Sequence, residues 1–209
     1  MKIINKVLSE SLFQRVKGEL KSKLHKDCWR TSFLTWDPFL HIGITGSVLM
    51  TDVSDKFNEL IHKQIESYLP EPVNKIKCIF HVFQPQSGIA RHNDGHMKFG
   101  ATIYLNDTWD SNAGGWFVWE DEETKQSGMH KALLPTRNMM VLNDKEEFHW
   151  VTPISPICSD MRCSIQIWCF NKDGMIDNIK QEMNNESTKL DSPLPKGKED
   201  ITINKKYSR

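Results

Sequence analysis

The spacing of apolar residues changes partway along the chain. Between residues 10 and 26, Leu12, Phe13, Val16, Leu20 and Leu24 recur near helical spacing behind Ser9, a side chain suited to an N-cap, which predicts an amphipathic helix. A second helix is predicted from near Asp52, carrying Phe57, Leu60, Ile61, Ile65 and Leu69 and stopping at Pro70. From Lys75 onward the pattern becomes short apolar or aromatic runs separated by turn residues. KIKCIFHVF precedes PQSG, KFGATIYL precedes NDTWDSNAGG, and WFVWE precedes the polar stretch DEETKQSG. LLPTRNMMVL, FHWVTPI and RCSIQIWCF complete a series that reads as a β-sandwich or barrel with two helices in front. Beyond Phe170 the apolar content falls, and residues 182–209 have the Lys, Asn, Ser and Asp content of a loosely packed or mobile tail.

A chain of 209 residues suits one domain, and 38% apolar residues with seven Trp and ten Phe suit a packed core. Lys+Arg and Asp+Glu both number 27, so the net charge gives no reason to expect a nucleic-acid partner or an anionic membrane. The first residues lack the apolar stretch of a signal peptide, and no window approaches the ~20 apolar residues of a membrane span, so a soluble cytoplasmic protein is expected. Five cysteines without a Cys-x-x-Cys pair argue against a disulfide framework or a cysteine-built zinc site and predict free thiols.

Candidate chemistry begins at RHNDGH. His92 and Asp94 are two residues apart, and on an extended chain both side chains leave from one face. His149 lies 55 residues beyond Asp94 in another strand-like segment. Two imidazoles and one carboxylate on one side of a metal leave open positions opposite, the facial arrangement of non-haem Fe(II) oxygenases. Zinc accepts the same donors, so ligand types alone do not choose the metal. His96 shares the parity of His92 and Asp94, which leaves His92, Asp94 and His96 as a competing ligand set.

Thirteen residues past His149 stands Arg162, and alternation then puts Arg162, Ser164, Gln166 and Trp168 on one strand face, with Ile165 and Ile167 on the other. A guanidinium grips a carboxylate bidentately and a hydroxyl two residues on adds a third hydrogen bond. That combination suits the distal carboxylate of 2-oxoglutarate.

Over residues 80–170 the chain resembles the prolyl 4-hydroxylase-like branch of the 2-oxoglutarate/Fe(II) oxygenase superfamily. RHND, TIYLNDTWDSNAGGWFVWED, LLPTRNMMVLND, EFHWVTPI and RCSIQIWCF stand in the family's order. The resemblance implies a mainly β fold with flanking helices, a double-stranded β-helix of jelly-roll type. Residues 1–74 would then be supporting helices of the same domain, 75–172 the oxygenase core and 173–209 a polar extension. It implies Fe(II) held by His92, Asp94 and His149, and 2-oxoglutarate held by Arg162 with Ser164, in a pocket lined by Tyr104. Trp168 and Arg91 are the substrate-side candidates. The implied activity is hydroxylation of a prolyl residue in a protein or peptide, with ascorbate as reductant.

Other readings stay open at this point. They are an oxygenase with a non-prolyl substrate, a non-catalytic metal-binding module, and a zinc hydrolase using Glu146 or Glu147 as base. A nucleic-acid demethylase is disfavoured, because Trp168 stands where that branch carries a second arginine. Three departures from the prolyl hydroxylase pattern stand out. Phe83 replaces a tyrosine, Trp116 follows Gly114 and Gly115, and the stretch from His149 to Arg162 is lengthened and holds Pro153 and Pro156.

Overall fold

The computed structural model describes residues 1–95, 98–144 and 146–170. In chain order these form β1 (Lys2–Ile4), α1 (Glu10–Lys23), β2 (Arg30–Thr31), α2 (Ser32–Thr35), β3 (Val48–Asp52) and α3 (Asp55–Ile65). They continue through β4 (Lys75–Phe83), β5 (Ile89–His92), β6 (Phe99–Tyr104), β7 (Phe117–Trp119) and α4 (Glu122–Ser127). The series closes with β8 (Lys131–Leu133), β9 (Met140–Asp144), β10 (His149–Val151) and β11 (Arg162–Phe170). The expected polar tail and His96 lie outside the described residues. Among the described residues no helix is long and apolar enough to cross a membrane.

The strands form two antiparallel sheets, one of seven strands in the order β1-β9-β6-β11-β4-β3-β2 and one of four in the order β5-β10-β7-β8. This is the expected double-stranded β-helix, and side-chain alternation explains its layers. Cys78, Phe80 and Val82 of β4 and Ile165, Ile167 and Cys169 of β11 form one core cluster with Leu12, Phe13, Val16 and Leu20 of α1 and Ile61 and Ile65 of α3. The intervening Ile79 and Phe83 turn the other way, joining Phe117, Trp119 and Val151 of the smaller sheet in a second cluster. The larger sheet thus has helices on one face and the pocket on the other.

The helix termini follow local chemistry. Ser9 caps α1 by accepting from the Leu12 amide at 3.4 Å, with Glu10 in the first turn and Lys21 and Lys23 in the last, each complementing the helix dipole. Helix α4 lies in DEETKQSG, which has no helical apolar period to betray it. It forms through a capping box between Asp121 and Thr124 and ends at Gly128, whose φ of 68° suits glycine. Strands β1 and β3 also fall where no strand was expected, being short pieces completed only by pairing with β9 and β4.

The segment before α1 is tied to the turn before β9 by Asn138. This residue is buried, has a φ of 54°, accepts from the Leu8 amide at 3.0 Å and donates to the Leu8 carbonyl at 2.7 Å. Asn138→Ala would leave both Leu8 groups unpaired and put alanine in a left-handed conformation, for a cost of about 2–4 kcal/mol. Urea unfolding should show a lower midpoint with an unchanged slope, and an unaltered midpoint would refute this role.

Candidate active site

Strand pairing brings the site together. His149, at the start of β10, sits directly opposite His92, at the end of β5, and opposite Trp119 of β7 on its other side. Asp94 does not share the strand with His92 as the alternation suggested: β5 ends at His92, and Asp94 follows in irregular chain. Its carboxylate is instead held from β9 and β6. Asn143 Nδ2 donates to Asp94 Oδ2 at 2.8 Å, and a Cβ on Gly100 would overlap that same oxygen, so only glycine leaves the room. Neither residue was singled out from the sequence, because both act across strands.

The three side chains converge. Asp94 Oδ1 lies 3.9 Å from His92 Nε2 and Asp94 Oδ2 lies 3.8 Å from His149 Nε2, with the three candidate donor atoms within 4.8 Å of one another. Each imidazole has its Nδ1 against a main-chain carbonyl, His92 on Ala90 at 2.8 Å and His149 on Glu147 at 2.9 Å. A proton on Nδ1 makes those bonds and leaves each Nε2 lone pair facing the shared space, the form a metal needs. Burial, and then the neighbouring His149, lower the pKa of His92, which favours the neutral ligand form.

Arg162, first residue of β11, is 1% exposed. Its guanidinium lies between two rings, 4.5 Å from the centroid of Phe83 and 5.0 Å from that of Tyr104. Arg162 Nε and Nη2 and the Tyr104 hydroxyl have no hydrogen-bond partner. Burial lowers the pKa of Arg162, and burial pushes Tyr104 up to about 12 against the pull of the arginine charge. A buried unpaired ion costs several kcal/mol, and each desolvated cation–π contact returns about 2 kcal/mol without giving the N–H groups an acceptor. With Nε and Nη2 of the guanidinium unpaired, a carboxylate with two oxygens fits the fork.

A pocket of about 230 Å³ joins the two halves, lined by His92, Asp94 and His149 at one side and by Arg162, Ser164 and Trp168 at another. Tyr104 is not part of that wall and packs behind it, against Arg162. Gly115, with a φ of 66°, lets the chain pass close to Arg162, since a Cβ there would stand 3.1 Å from Arg162 Cδ. Arg91 is turned elsewhere. It makes two 2.7 Å hydrogen bonds to Glu120 and stacks 3.8 Å from the ring of Phe148. Glu147 pairs with the Met1 ammonium, and neither it nor Glu146 lines the pocket. The lengthened stretch before Arg162 packs through buried Ile154, which bridges to Gly114.

His81 was missed, because within KIKCIFHVF it reads as a polar interruption of an apolar strand. It is buried and lines the pocket between Ile79 and Phe83 of the same strand. Burial, aided by the charges of Arg162 and Arg30, drives its pKa down to about 3. Trp36, Phe39 and Leu40, from chain with no sequence assignment, form the remaining wall.

A double-stranded β-helix with a His-Asp-His cluster beside a buried arginine is the arrangement the sequence resemblance implied, and known proteins share the fold. Residues 78–170 match the family model described as the 2OG-Fe(II) oxygenase superfamily. The fold is shared with a Pseudomonas putida prolyl-4-hydroxylase at 16% identity and a TM-score of 0.63, covering 82% of this chain and 92% of that one. It is shared with a Trichoplax adhaerens prolyl hydroxylase, solved with a hypoxia inducible factor peptide fragment, at 17% identity and a TM-score of 0.63, covering 92% and 87%. The α-ketoglutarate-dependent epimerase SnoN of nogalamycin biosynthesis is similar at 13% identity and a TM-score of 0.55, covering 81% and 77%. No curated protein matches the sequence. The match to the 2OG-Fe(II) oxygenase superfamily model spans residues 78–170, from β4 to β11, and includes His92, Asp94, His149 and Arg162.

Two measurements test the geometry. Asn143→Ala removes the hydrogen bond that orients Asp94, and loss of such a support typically costs about 10–100-fold in metal affinity. Titration with Fe(II) or Mn(II) should show that loss, and unchanged affinity would contradict it. The second concerns acid stability. His81 stays neutral in the folded protein to about pH 3, whereas its ordinary pKa is 6.5, so between these values the unfolded chain binds more protons. Stability is thus fully present above pH 6.5 and is lost as pH falls toward 3, by at most ~1.4 kcal/mol per pH unit from this group. The urea midpoint should drop less for His81→Gln than for wild type between about pH 7 and pH 4.5. Equal drops would assign the acid sensitivity to other groups.

Proposed function

We propose that the protein is an Fe(II)- and 2-oxoglutarate-dependent dioxygenase that hydroxylates a prolyl residue of a protein or peptide. The observation that carries the oxygenase chemistry is the pairing, in one pocket, of the His92-Asp94-His149 cluster with the unsatisfied guanidinium of Arg162. Iron and 2-oxoglutarate, when bound, would supply the reduction of O2, one oxygen atom going into succinate as 2-oxoglutarate loses CO2 and the other replacing hydrogen by hydroxyl at an unactivated carbon.

The chain's own residues supply position and environment. His92, Asp94 and His149 hold the metal from one side, with both imidazoles oriented through their Nδ1 bonds to carbonyls. Arg162, with the Ser164 hydroxyl, takes the distal carboxylate of 2-oxoglutarate. Phe83, Ile89, Phe117 and Val151 line the pocket with apolar surface that excludes water. Tyr104 serves from behind, its ring bracing Arg162.

The polypeptide substrate draws support from the pocket's mouth. Trp36, Phe39 and Leu40 line the pocket, and the same short segment exposes Phe33, Leu34 at 85% and Ile42 at 74%. So much exposed apolar surface in one place suits a docking chain better than a small polar molecule. The Trichoplax adhaerens enzyme of the same fold was solved with a peptide. Trp168, which lines the pocket, would border the bound residue, whereas Arg91 is held by Glu120 and does not line it. A second reading, oxidation of a non-prolyl substrate, is favoured by the occurrence of an epimerase and a carbocyclase on this fold.

Succinate release from 2-oxoglutarate, with Fe(II) and ascorbate, tests the proposal. Turnover should vanish in His92→Ala. In Arg162→Ala the KM for 2-oxoglutarate should rise roughly 10–100-fold, as loss of a charged hydrogen bond of about 1.5–3 kcal/mol requires. Proline peptides should stimulate turnover where their Pro→Ala counterparts do not. Stimulation by neither would remove the prolyl reading, and wild type that binds neither metal nor 2-oxoglutarate would remove the oxygenase mechanism.

A further inference from the structure

We propose that His81 is an additional binding residue for the bound dicarboxylate, contacting it beside Ser164 and Arg162 across the β4–β11 strand pair. The inference rests on the 2-oxoglutarate reading above and adds a residue to it.

Register carries the first part of the argument. His81 is the direct cross-strand partner of Ser164, and Phe83, two residues on, is the partner of Arg162. Paired residues in an antiparallel sheet point to the same face, so His81, Ser164 and Arg162 form one continuous polar patch, and all three line the same pocket.

Hydrogen-bond accounting carries the second. His81 is 4% exposed, and its Nε2 has no hydrogen-bond partner. Its ring neighbours are Trp36 at 5.6 Å, Phe83 at 6.2 Å and Trp168 at 6.5 Å, and none of these offers an acceptor for a ring N–H. A buried polar atom left unpaired costs about 1–3 kcal/mol, and an apolar side chain such as that of Ile79 on the same face would avoid that cost. Packing alone does not account for an imidazole at this position.

Charge decides what it binds. A second cation beside buried Arg162 would be repelled, and the ring is held neutral by burial and by that same charge. A neutral imidazole carries one N–H to donate, so it is an uncharged donor next to a fixed cation and completes the coordination of one carboxylate without adding net charge. Thr102 Oγ1 donates to Gln166 Oε1 at 2.8 Å, so those two atoms are already paired. Among the described residues that line the pocket, the buried side-chain atoms without a partner are His81 Nε2 and the Nε and Nη2 of Arg162.

The test is calorimetric titration of the full chain, loaded with Mn(II), with 2-oxoglutarate. His81→Val should weaken 2-oxoglutarate binding about tenfold, the worth of one hydrogen bond to a charged acceptor, and leave Mn(II) affinity unchanged. His81→Gln, which keeps a donor, should recover most of the loss. Unchanged 2-oxoglutarate affinity in His81→Val overturns the proposal. So does equal weakening of 2-oxoglutarate and Mn(II), or a His81→Gln variant as weak as His81→Val, either of which makes the role one of packing. Wild type that holds Mn(II) but not 2-oxoglutarate would instead overturn the cosubstrate reading itself, so the two failures are distinguishable.

Discussion

Nine consecutive residue pairs join Lys75–Phe83 to Arg162–Phe170, and the layering of the molecule depends on that register. Side chains alternate along a strand with a period of two, so a slip of one residue would move every side chain of β11 to the opposite face. Arg162 and Ser164 would then meet the helices, and Ile165 and Ile167 would meet the pocket. The burial of Phe13, Val16, Ile61 and Ile65 against the outer face opposes such a slip, because it would replace aliphatic contacts with an unpaired guanidinium. The helical layer therefore maintains the site without touching it.

The smaller sheet has a different task. Its strands are short, and its contribution to the site is to set His149 opposite His92 and to stack His149 on Phe117 at 5.3 Å. Asp94 arrives from irregular chain and depends on Gly100 and Asn143 of the larger sheet for its place. The His92-Asp94-His149 cluster thus draws on both sheets, and its geometry depends on how the two pack together. Against this frame, the unsatisfied groups of Arg162, Tyr104 and His81 are a local cost in stability concentrated where a ligand can offset it.

The frame does not choose the substrate. Enzymes of the same fold include prolyl hydroxylases and an epimerase, so the fold alone does not set the reaction, and the side chains around the pocket must. In this protein Trp36, Phe39 and Leu40, on a segment outside both sheets, form part of that lining. Such a segment can change without disturbing the β4–β11 register.

What the sequence determined by itself was local and periodic. RCSIQIWCF and KIKCIFHVF show their two faces in the order of their residues, because each side chain's burial follows from its neighbours two positions away. The pairing of Ser9 with a following apolar stripe marked the start of α1 for the same reason. The tertiary structure alone decided which faces meet. It took Asp94 off the strand of His92, gave Arg91 to Glu120 rather than to the pocket, built α4 on a capping box, and set His81 across from Ser164. Each of these depends on a partner distant in sequence or on a hydrogen bond without hydrophobic period, and contacts of that kind exist only once the strands have chosen their neighbours and register.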